Sequence, residues 1–359
     1  MEESQFAEWL ALYFPGITLR VTETYNDEKR LPSYLFRRFL RKDFSVDGKW
    51  ETLSINNSLV AADIIAMDSS IPLKKRPALG RATGDIPKMG LELAIREKQL
   101  TELNTLIALG RNTQAIAKLF ADVPLVIGGQ YERLEAMFLE GLSTGLVVVE
   151  DIETVGTGVR LDYGFLAANK FESTTVWTNP ASTPITDMTP LLEKAELDGN
   201  VITTVLMDLT TFNNFSKTTE VKGIYAAAFG IFGATVPTPT LQQVNTAMTA
   251  RYGFVIEIVN RSVRVQRNGI NTAYKPWKAG SVVFLTTEDV GSYVYARLAE
   301  QDSPVAGVAY QTVEDFILVS KFRLNRPSLA EITNSQSRVV PVIDGVDSIY
   351  LLDSTQTNG

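Results

Sequence analysis

The sequence predicts an α+β protein, and three observations support that fold class. Of its 359 residues, 45% are hydrophobic and 21% are charged, which is typical of a folded globular chain. A helical stripe of apolar residues is followed directly by two β-rich runs, within residues 127–163. Between about 200 and 300, strand-like and helix-like segments alternate. A chain of this length is expected to form two or three compact units.

Residues 1–50 contain short apolar pieces mixed with charge and lack a long periodic pattern, which predicts an arm that packs on another part of the protein. Residues 51–88 are interpreted as an extended loop. Within them and just beyond, the segment 63–90 is rich in Pro, Gly, Ser and basic residues. A loop of this length is usually functional or contacts a partner.

Two helices are predicted next. The first covers 89–108, where Met89, Leu93, Leu100, Leu103 and Ile107 recur near a 3.6-residue period and Glu92 would face Arg96. The second carries a stronger stripe, consisting of Ile127, Tyr131, Leu134, Phe138 and Leu142. Its expected N-cap is Asp122, Pro124 would lie in its first turn, Gly128-Gly129 would delay or kink it, and Gly141 or Gly145 would end it.

The β-rich runs Leu146–Val149 and Val159–Tyr163 predict a hairpin with a longer loop. A polar stretch at 172–189 is the candidate domain boundary. A helix over 190–198 would follow it, with Thr189 as the cap and Pro190 at the first position.

Local patterns and caps predict the remaining elements. A capping box of Thr240 and Gln243 and a stop at Gly253 mark one helix, and Asn268-Gly269 marks a turn. The predicted strands are 201–206, 254–259, 263–266, 282–285, 313–324 and 349–352, and the predicted helices are 208–217 and 240–251. The final STQTNG is expected to be disordered.

The composition restricts the possible chemistry. The chain contains no histidine and no cysteine, which removes imidazole catalysis, thiol nucleophiles, disulfides and Cys/His zinc sites. A structural protein is therefore favoured over an enzyme. No catalytic, cofactor-binding or metal-binding residue is assigned, and no cofactor is expected.

The net charge of −7 argues against a nucleic-acid binder that relies on bulk positive charge, although a local basic patch remains open. The acidic start does not have the pattern of a signal peptide, and no apolar run approaches the ~20 residues that span a bilayer. A soluble protein made in the cytoplasm is expected.

Carboxylates form the strongest candidate for chemistry. Glu150, Asp151 and Glu153, together with Asp162, could form an acid–base pair or a divalent-metal site. Consecutive strand residues point to opposite faces, so Glu150 and Asp151 do not converge, and a solvated hairpin tip is the favoured interpretation.

The glycine-rich and serine motifs do not indicate a phosphate-binding loop or a serine nucleophile. Gly156-Thr157-Gly158 lacks the following helix and Lys of a phosphate loop, so it is interpreted as a turn. Ser143, between Gly141 and Gly145, matches no nucleophile elbow, and a Ser-His-Asp triad is impossible without histidine.

Two basic segments have alternative interpretations. The run Phe36-Arg37-Arg38-Phe39-Leu40-Arg41-Lys42 could stack on bases and bind phosphates, but packed aromatics with guanidinium groups paired to acidic neighbours are favoured. Lys74, Lys75, Arg76 and Arg81 could pair with acidic patches on a neighbouring copy or simply be solvated.

The order of these parts resembles the Hong Kong 97-type fold of tailed-phage major capsid proteins, and within it the lambda-type (major capsid protein E) family. The resemblance rests on Val159-Arg160-Leu161-Asp162-Tyr163-Gly164 with Trp177 downstream, on 279–285 leading to Val290-Gly291, and on SQSRVVPVIDGVDSIYLLD at 335–353. The first fifty residues depart from the family, and no crosslink residues are carried over.

The resemblance implies four parts: an N-terminal arm (1–50), an extended loop (51–88), a peripheral domain with a long spine helix and a β-sheet (89–189 and 309–359), and an α/β axial domain (190–308). It implies pentamers and hexamers in an icosahedral shell, located in the virion. The implied partners are a portal protein, a separate scaffolding protein, a decoration protein and packaged DNA contacted non-specifically, with no membrane.

Three alternatives stay open. An encapsulin-like nanocompartment shell has the same architecture but holds cargo protein. A carboxylate-dependent hydrolase such as a glycosidase would need two convergent carboxylates in a cleft. Another virion component, such as a tail or neck protein built from α/β modules, is the third.

Overall fold

Two units make up the chain in a computed structural model that describes residues 1–27, 34–55, 79–149, 159–233, 235–267 and 269–357. The first unit comprises Met1–Trp50, Gly84–Met137 and Ser292–Val342. The second comprises Glu51–Thr83, Phe138–Gly291 and Ile343–Gly359. Much of the predicted extended loop, including Lys74, Lys75 and Arg76, lies outside the described residues.

The helices and strands follow the order of an α+β chain. The helices are α1 Ala7–Asn26, α2 Leu35–Phe39, α3 Glu97–Ala108, α4 Asn112–Leu119, α5 Val123–Thr144, α6 Pro184–Leu197, α7 Leu209–Lys217, α8 Thr219–Phe229, α9 Leu241–Tyr252 and α10 Ala299–Asp302. The strands are β1 Leu40–Phe44, β2 Lys49–Ile55, β3 Leu79–Asp85, β4 Lys88–Arg96, β5 Leu146–Val149, β6 Val159–Asp162, β7 Lys170–Ser173, β8 Thr204–Asp208, β9 Val255–Val259, β10 Val263–Arg267, β11 Ile270–Tyr274, β12 Ser281–Leu285, β13 Gly291–Ala296, β14 Ala309–Val313, β15 Ile317–Leu324, β16 Ala330–Ile343 and β17 Ile349–Thr357.

The predicted spine helix is confirmed as α5, Val123–Thr144. All five residues of its predicted apolar stripe are fully buried, which explains why a long amphipathic pattern folds as a single helix. Gly145, at φ +80°, follows its last residue, in a conformation that favours glycine. The helix continues through Gly128-Gly129. A side chain at Gly128 would overlap the Tyr25 hydroxyl, so close packing, and not a kink, requires glycine there.

The first unit contains a sheet of order β1-β13-β16-β15-β14, with β4 also paired to β16. Strand β16 is central, antiparallel to both β15 and β4. One face of β16 is polar yet fully buried, and it carries Glu331, Thr333, Ser335 and Ser337. Gln130 of the spine helix satisfies its two serines: its Nε2 donates to Ser335 Oγ at 2.9 Å, and Ser337 Oγ donates to its Oε1 at 2.7 Å.

The second unit is built on a sheet of order β7-β17-β12-β8-β9. Strands β8 and β9 are parallel, as are β17 and β7, whereas β12 is antiparallel to both of its neighbours. Its strands alternate along the chain with α6, α7, α8 and α9, and the core between them includes Trp177, Met188, Phe215, Val282 and Tyr350. This confirms the α/β arrangement predicted for 200–300.

The described residues of the second unit also include the paired strands β2 and β3, most of whose residues belong to it, and two hairpins. Strands β5 and β6 pair in the register Leu146↔Asp162, as predicted from the two β-rich runs. Strands β10 and β11 pair from Val263↔Tyr274 to Arg267↔Ile270, with Gly269 at φ +75° in the turn. Asn268, the other residue of the predicted turn, lies outside the described residues.

The capping box and the stop glycine predicted for the helix over 240–251 are confirmed. Helix α9 has Thr240 as its N-cap, a capping box with Gln243, and Gly253 at φ +81° after its end. Helix α7 begins at Leu209, where Asp208 accepts the Thr210 N–H at 3.0 Å.

The predicted helix over 89–108 is wrong in its first part, because Lys88–Arg96 is strand β4 and the helix begins at Glu97. Met89 and Leu93 fit a helical spacing, but with Leu91 and Ile95 they also alternate with period two. Pairing along β16, from Ala330↔Arg96 to Arg338↔Lys88, decides in favour of the strand. Glu92 and Arg96 are therefore not neighbours on a helix.

The predicted helix over 190–198 begins too late. It starts at Pro184 with Thr183 as the N-cap residue, and Pro190 lies inside it. Both Thr-Pro pairs fit a helix start, but the Glu220 carboxylate of α8 accepts the Ile185 N–H at 2.7 Å. A partner distant in sequence thus satisfies the first turn.

The two ends of the chain are more ordered than predicted. Residues 7–26 form helix α1, in which Leu10, Phe14 and Thr18 are buried at a spacing of four. The terminal STQTNG is not disordered as far as Thr357, because β17 continues through it and Ser354 Oγ donates to the Gly280 carbonyl at 2.8 Å. Strands β16 and β17 are both present in the closing segment 335–353, but they lie in different sheets.

Candidate functional sites

The predicted carboxylate cluster is only partly described. Asp162 is exposed at the end of β6, and its Oδ1 accepts the Gly164 N–H at 3.0 Å, a local turn contact. Glu150, Asp151, Glu153 and the segment 156–158 lie outside the described residues. Among the residues that the structure describes, no group of three or more acidic side chains is placed to hold a metal ion.

Ser143 joins two parts of the second unit. Its side chain is 1% exposed, and its Oγ accepts the Lys278 N–H at 3.0 Å and donates to the Glu140 carbonyl at 3.2 Å. Its own carbonyl accepts the Ser281 hydroxyl at 2.7 Å. The serine therefore fixes the end of the spine helix to the start of β12, and its hydroxyl is not presented to solvent.

The basic run 36–42 adopts the favoured packed arrangement. Phe36 and Phe39 are buried. Arg37 donates to both carboxylate oxygens of Glu314, at 3.0 and 3.2 Å, and its guanidinium carbon lies 4.6 Å from the centre of the Tyr131 ring. Lys42 forms an ion pair with Asp315. These cations and rings are engaged within the first unit.

Burial and charge perturb the tyrosines around this ion pair. Burial raises the pKa of Tyr131, and the nearby Glu314 carboxylate raises it further. Burial, again followed by Glu314, raises the pKa of Tyr293 to about 12. Both phenols therefore stay neutral at physiological pH and act as packing groups.

A buried lysine in the first unit was not predicted. Lys321 is fully buried on β15, where its ammonium donates to the Leu119 carbonyl at 3.0 Å and to Thr333 Oγ1 at 2.6 Å. Burial lowers its pKa to about 8, against the opposing effects of Asp122 and Glu331. Burial also raises the pKa of Glu331, whose Oε1 accepts the Gln5 N–H at 3.1 Å. In the sequence, the alternating polar residues of β16 resemble an exposed strand, so no local pattern indicated that these side chains are buried.

Trp177, the residue that carried part of the family resemblance, is anchored by Asp187. The indole Nε1 donates to Asp187 Oδ2 at 2.9 Å, and the Thr174 N–H and hydroxyl donate to Oδ1 at 3.0 and 2.6 Å. Both Trp177 and Asp187 are buried. The carboxylate thus fixes the segment before α6 onto the helix itself, which is a structural function.

The largest unexplained features are on the surface. Exposed apolar side chains occur in the second unit at Leu197, Val201, Phe232 and Ile270. Arg264 on β10 and Lys275 after β11 are exposed as well. Within the described part of the chain, no helix is both long and apolar enough to cross a membrane.

Comparison with solved structures identifies the fold. A protein assigned as a prophage capsid protein, from Escherichia coli CFT073, aligns over 94% of this chain and 98% of its own, with a TM-score of 0.57 at 11% identity. A phage-related protein from Bordetella bronchiseptica RB50 aligns over 94% and 96%, with a TM-score of 0.48 at 12% identity. A chain of the satellite phage P4 procapsid aligns over 99% and 97%, with a TM-score of 0.48 at 10% identity.

No family model and no curated protein matches the sequence. The fold assignment therefore rests on the prophage protein, which spans nearly the whole of both chains. It agrees with the fold class that the resemblance in the sequence implied. The chain has the Hong Kong 97-type fold of tailed-phage capsid proteins.

Proposed function

We propose that this chain is a major capsid protein that self-assembles into the icosahedral head shell of a phage. The fold match to the prophage capsid protein carries the proposal, because it extends over 94% of this chain. A shell subunit functions through large contacts with its symmetry mates, and not through a pocket. The protein would act as a structural component and not as an enzyme.

The same fold match supports a role for each of the parts that the sequence predicts. The spine helix and the strands of 309–359 would form the peripheral domain, 190–308 the axial domain near the capsomer centres, and 51–88 a loop over a neighbouring subunit. The boundaries predicted from the sequence assign the last strand, β17, to the peripheral domain. Its pairing with β12 supports grouping it with 190–308 instead.

The proposed partners follow from this role. Copies of the chain would form pentamers and hexamers, with a portal protein at one vertex and a separate scaffolding protein during assembly. A decoration protein would bind the outer surface, and packaged DNA would contact the inner surface non-specifically. The chain would be made in the host cytoplasm and would reside in the virion.

Size-exclusion chromatography with light scattering, followed by negative-stain microscopy of any large fraction, tests self-assembly. The proposal predicts closed shells, tubes, or rings of five and six subunits. A strictly monomeric chain that stays unassembled when the proteins of its genomic neighbours are supplied would contradict it.

The encapsulin-like alternative predicts shells of the same architecture with a different content. Particles produced with the neighbouring genes should therefore be treated with nuclease and their contents analysed. Protected DNA of defined length supports the phage head, whereas a co-purifying cargo enzyme and no protected DNA support the nanocompartment.

A further inference from the structure

The end of α8 in the second unit presents an aromatic tip, here defined as Phe229, Ile231 and Phe232. Phe232 is 95% exposed and Phe229 is 44% exposed, whereas Ile231 is half-buried. These three apolar side chains occur within four consecutive residues. Exposed apolar side chains that occur together, unlike scattered single ones, indicate an interaction surface.

The end of α8 also fixes the backbone of the aromatic tip. Gly230 has φ +65°, the left-handed conformation that ends many helices. The Ile231 N–H donates to the Ala226 carbonyl at 2.9 Å, and the centre of the Phe229 ring lies 5.1 Å from that of Tyr225. The tip is therefore held in place before it meets a partner, which reduces the entropy lost on binding.

A groove of about 680 Å³ follows the outer side of α9 in the same unit, and it is here called the α9 groove. The other side of this helix, with Val244 and Met248, is buried in the core. Charged residues usually cover the outer side of a surface helix, but the groove has none. Its lining consists of Leu241, Gln242, Asn245, Thr246, Thr249 and Ala250.

The tip and the groove both belong to a part of the sequence without charge. Residues 223–250 contain no Asp, Glu, Lys or Arg, although 21% of the whole chain is charged. The cores of protein interfaces are likewise poor in charged residues and rich in aromatic ones. In a ring of identical copies, residues near the axis face their own equivalents, so a charge there would meet a like charge. A surface without charge avoids this repulsion, which favours a second copy of this chain as the partner.

We propose that the aromatic tip of one subunit docks in the α9 groove of the next, with Phe232 between Thr246 and Ala250. This inference rests on the proposed shell function and names the residues of one of its contacts. Because the tip and the groove are different surfaces, the contact is heterologous, and repeated heterologous contacts form rings when the rotation closes. The lack of cations on both surfaces argues against a nucleic acid as the partner, since its phosphates attract basic residues.

The absence of cysteine from the sequence makes a direct test possible. The full-length double variant Phe232→Cys/Thr246→Cys is checked for native circular dichroism, mildly oxidised and run on a non-reducing gel. The contact predicts a ladder of disulfide-linked species that extends to rings of five or six copies, because each copy would be linked to two neighbours. Each single variant should stop at the dimer.

The matched control is Phe232→Cys/Leu197→Cys. Leu197 is also an exposed apolar residue at the end of a helix of the second unit, but it lies on α6. This control should give no ladder beyond the dimer. A Phe232→Cys/Thr246→Cys variant that gives no more of the ladder than the control would overturn the proposal.

Filling the groove distinguishes a specific contact from general adhesion of apolar surfaces. Thr246→Trp makes the surface more apolar but occupies the groove, so self-association measured by analytical ultracentrifugation should weaken at least about tenfold. Phe232→Ser should weaken it to a similar extent. Leu197→Ser removes a similarly exposed apolar side chain outside the contact and should leave self-association unchanged. Stronger association of Thr246→Trp, or an equal loss in Leu197→Ser, would contradict the proposal.

The outcomes separate this contact from the shell function. Shells that form without the Phe232–Thr246 ladder would refute the contact and leave the capsid assignment standing. A ladder from a chain that never forms shells, even with the proteins of its genomic neighbours, would support the contact and refute the assignment. If Phe232→Ser abolishes co-sedimentation with phosphatidylcholine vesicles and leaves self-association unchanged, the tip binds a lipid surface and the proposal is wrong.

Discussion

The Asp187 carboxylate should be one of the most costly polar groups to remove from the second unit. It accepts three hydrogen bonds, from the Thr174 N–H, the Thr174 hydroxyl and the Trp177 indole. Asp187→Ala would leave the indole and amide donors without this acceptor in a buried place. The free energy of unfolding should fall by about 3–5 kcal/mol, since hydrogen bonds to charged groups contribute about 1.5–3 kcal/mol each and orphaned donors add to the cost.

Two further variants resolve this loss into its parts. Asp187→Asn keeps one acceptor oxygen for Thr174 but turns an amide donor towards the indole, so about 1–3 kcal/mol should be lost. Trp177→Phe removes the indole donor, and in that background Asp187→Asn should cost clearly less than in the native chain. Urea unfolding followed by far-ultraviolet circular dichroism measures the native chain, the three single variants and the Trp177→Phe/Asp187→Asn double variant. A loss below about 1 kcal/mol for Asp187→Ala would refute the reasoning.

Three other predictions concern the spine helix and the first unit. Gly145→Ala should destabilise the folded chain more than Gly164→Ala. Both glycines have positive φ, but only at Gly145 would a Cβ overlap a neighbour, the Phe165 ring. Equal thermal midpoints for the two variants would contradict this prediction. Arg37→Met should lower the free energy of unfolding by about 1–3 kcal/mol, because it leaves the largely buried Glu314 carboxylate without its bidentate partner. A double-mutant cycle with Glu314→Gln should show coupling between the two side chains. Burial lowers the pKa of Lys321 to about 8 in the folded chain, from an ordinary value of 10.5. Between these two pH values the unfolded chain binds more protons than the folded chain, so stability rises with pH. The free energy of unfolding should therefore increase by about 2 kcal/mol through Lys321 as the pH rises from 8 to 10. The stability difference between the native chain and Lys321→Met should show that slope, and a difference independent of pH would refute it.

The parts of the fold that sequence reasoning predicted are those specified by neighbouring residues. The spine helix has an apolar stripe within one segment, and α9 has its cap and its stop glycine within the same fourteen residues, from Thr240 to Gly253. Such signals do not depend on where the rest of the chain lies. The alternation of strands and helices after residue 200 follows from the same kind of local pattern.

The parts that were missed depend on distant partners. Strand β4 is decided by pairing with β16, and the first turn of α6 by Glu220. The polar face of β16 is buried because Gln130, far away in sequence, satisfies its serines. Helix α1 was missed because residues 1–50 show no long periodic pattern in the sequence, although Leu10, Phe14 and Thr18 are buried at a spacing of four in the folded chain.

For the candidate sites, too, the features that composition or neighbouring residues decide were predicted, and those that depend on distant parts of the chain were missed. From composition alone, the sequence excluded chemistry that needs histidine or cysteine, and it favoured the packed arrangement of Arg37 and its aromatic neighbours, which the structure confirms. The exposure of apolar side chains such as Phe232 and Ile270 could not be recognised in advance, because it depends on how the rest of the chain packs.

Electron cryomicroscopy of particles made by co-expressing this chain with its genomic neighbours tests the capsid proposal most directly. Closed icosahedral shells, with this fold repeated in rings of five and six copies, are the predicted result. Particles from which the chain is missing, or in which it forms a tail or neck component and no shell, would contradict the proposal.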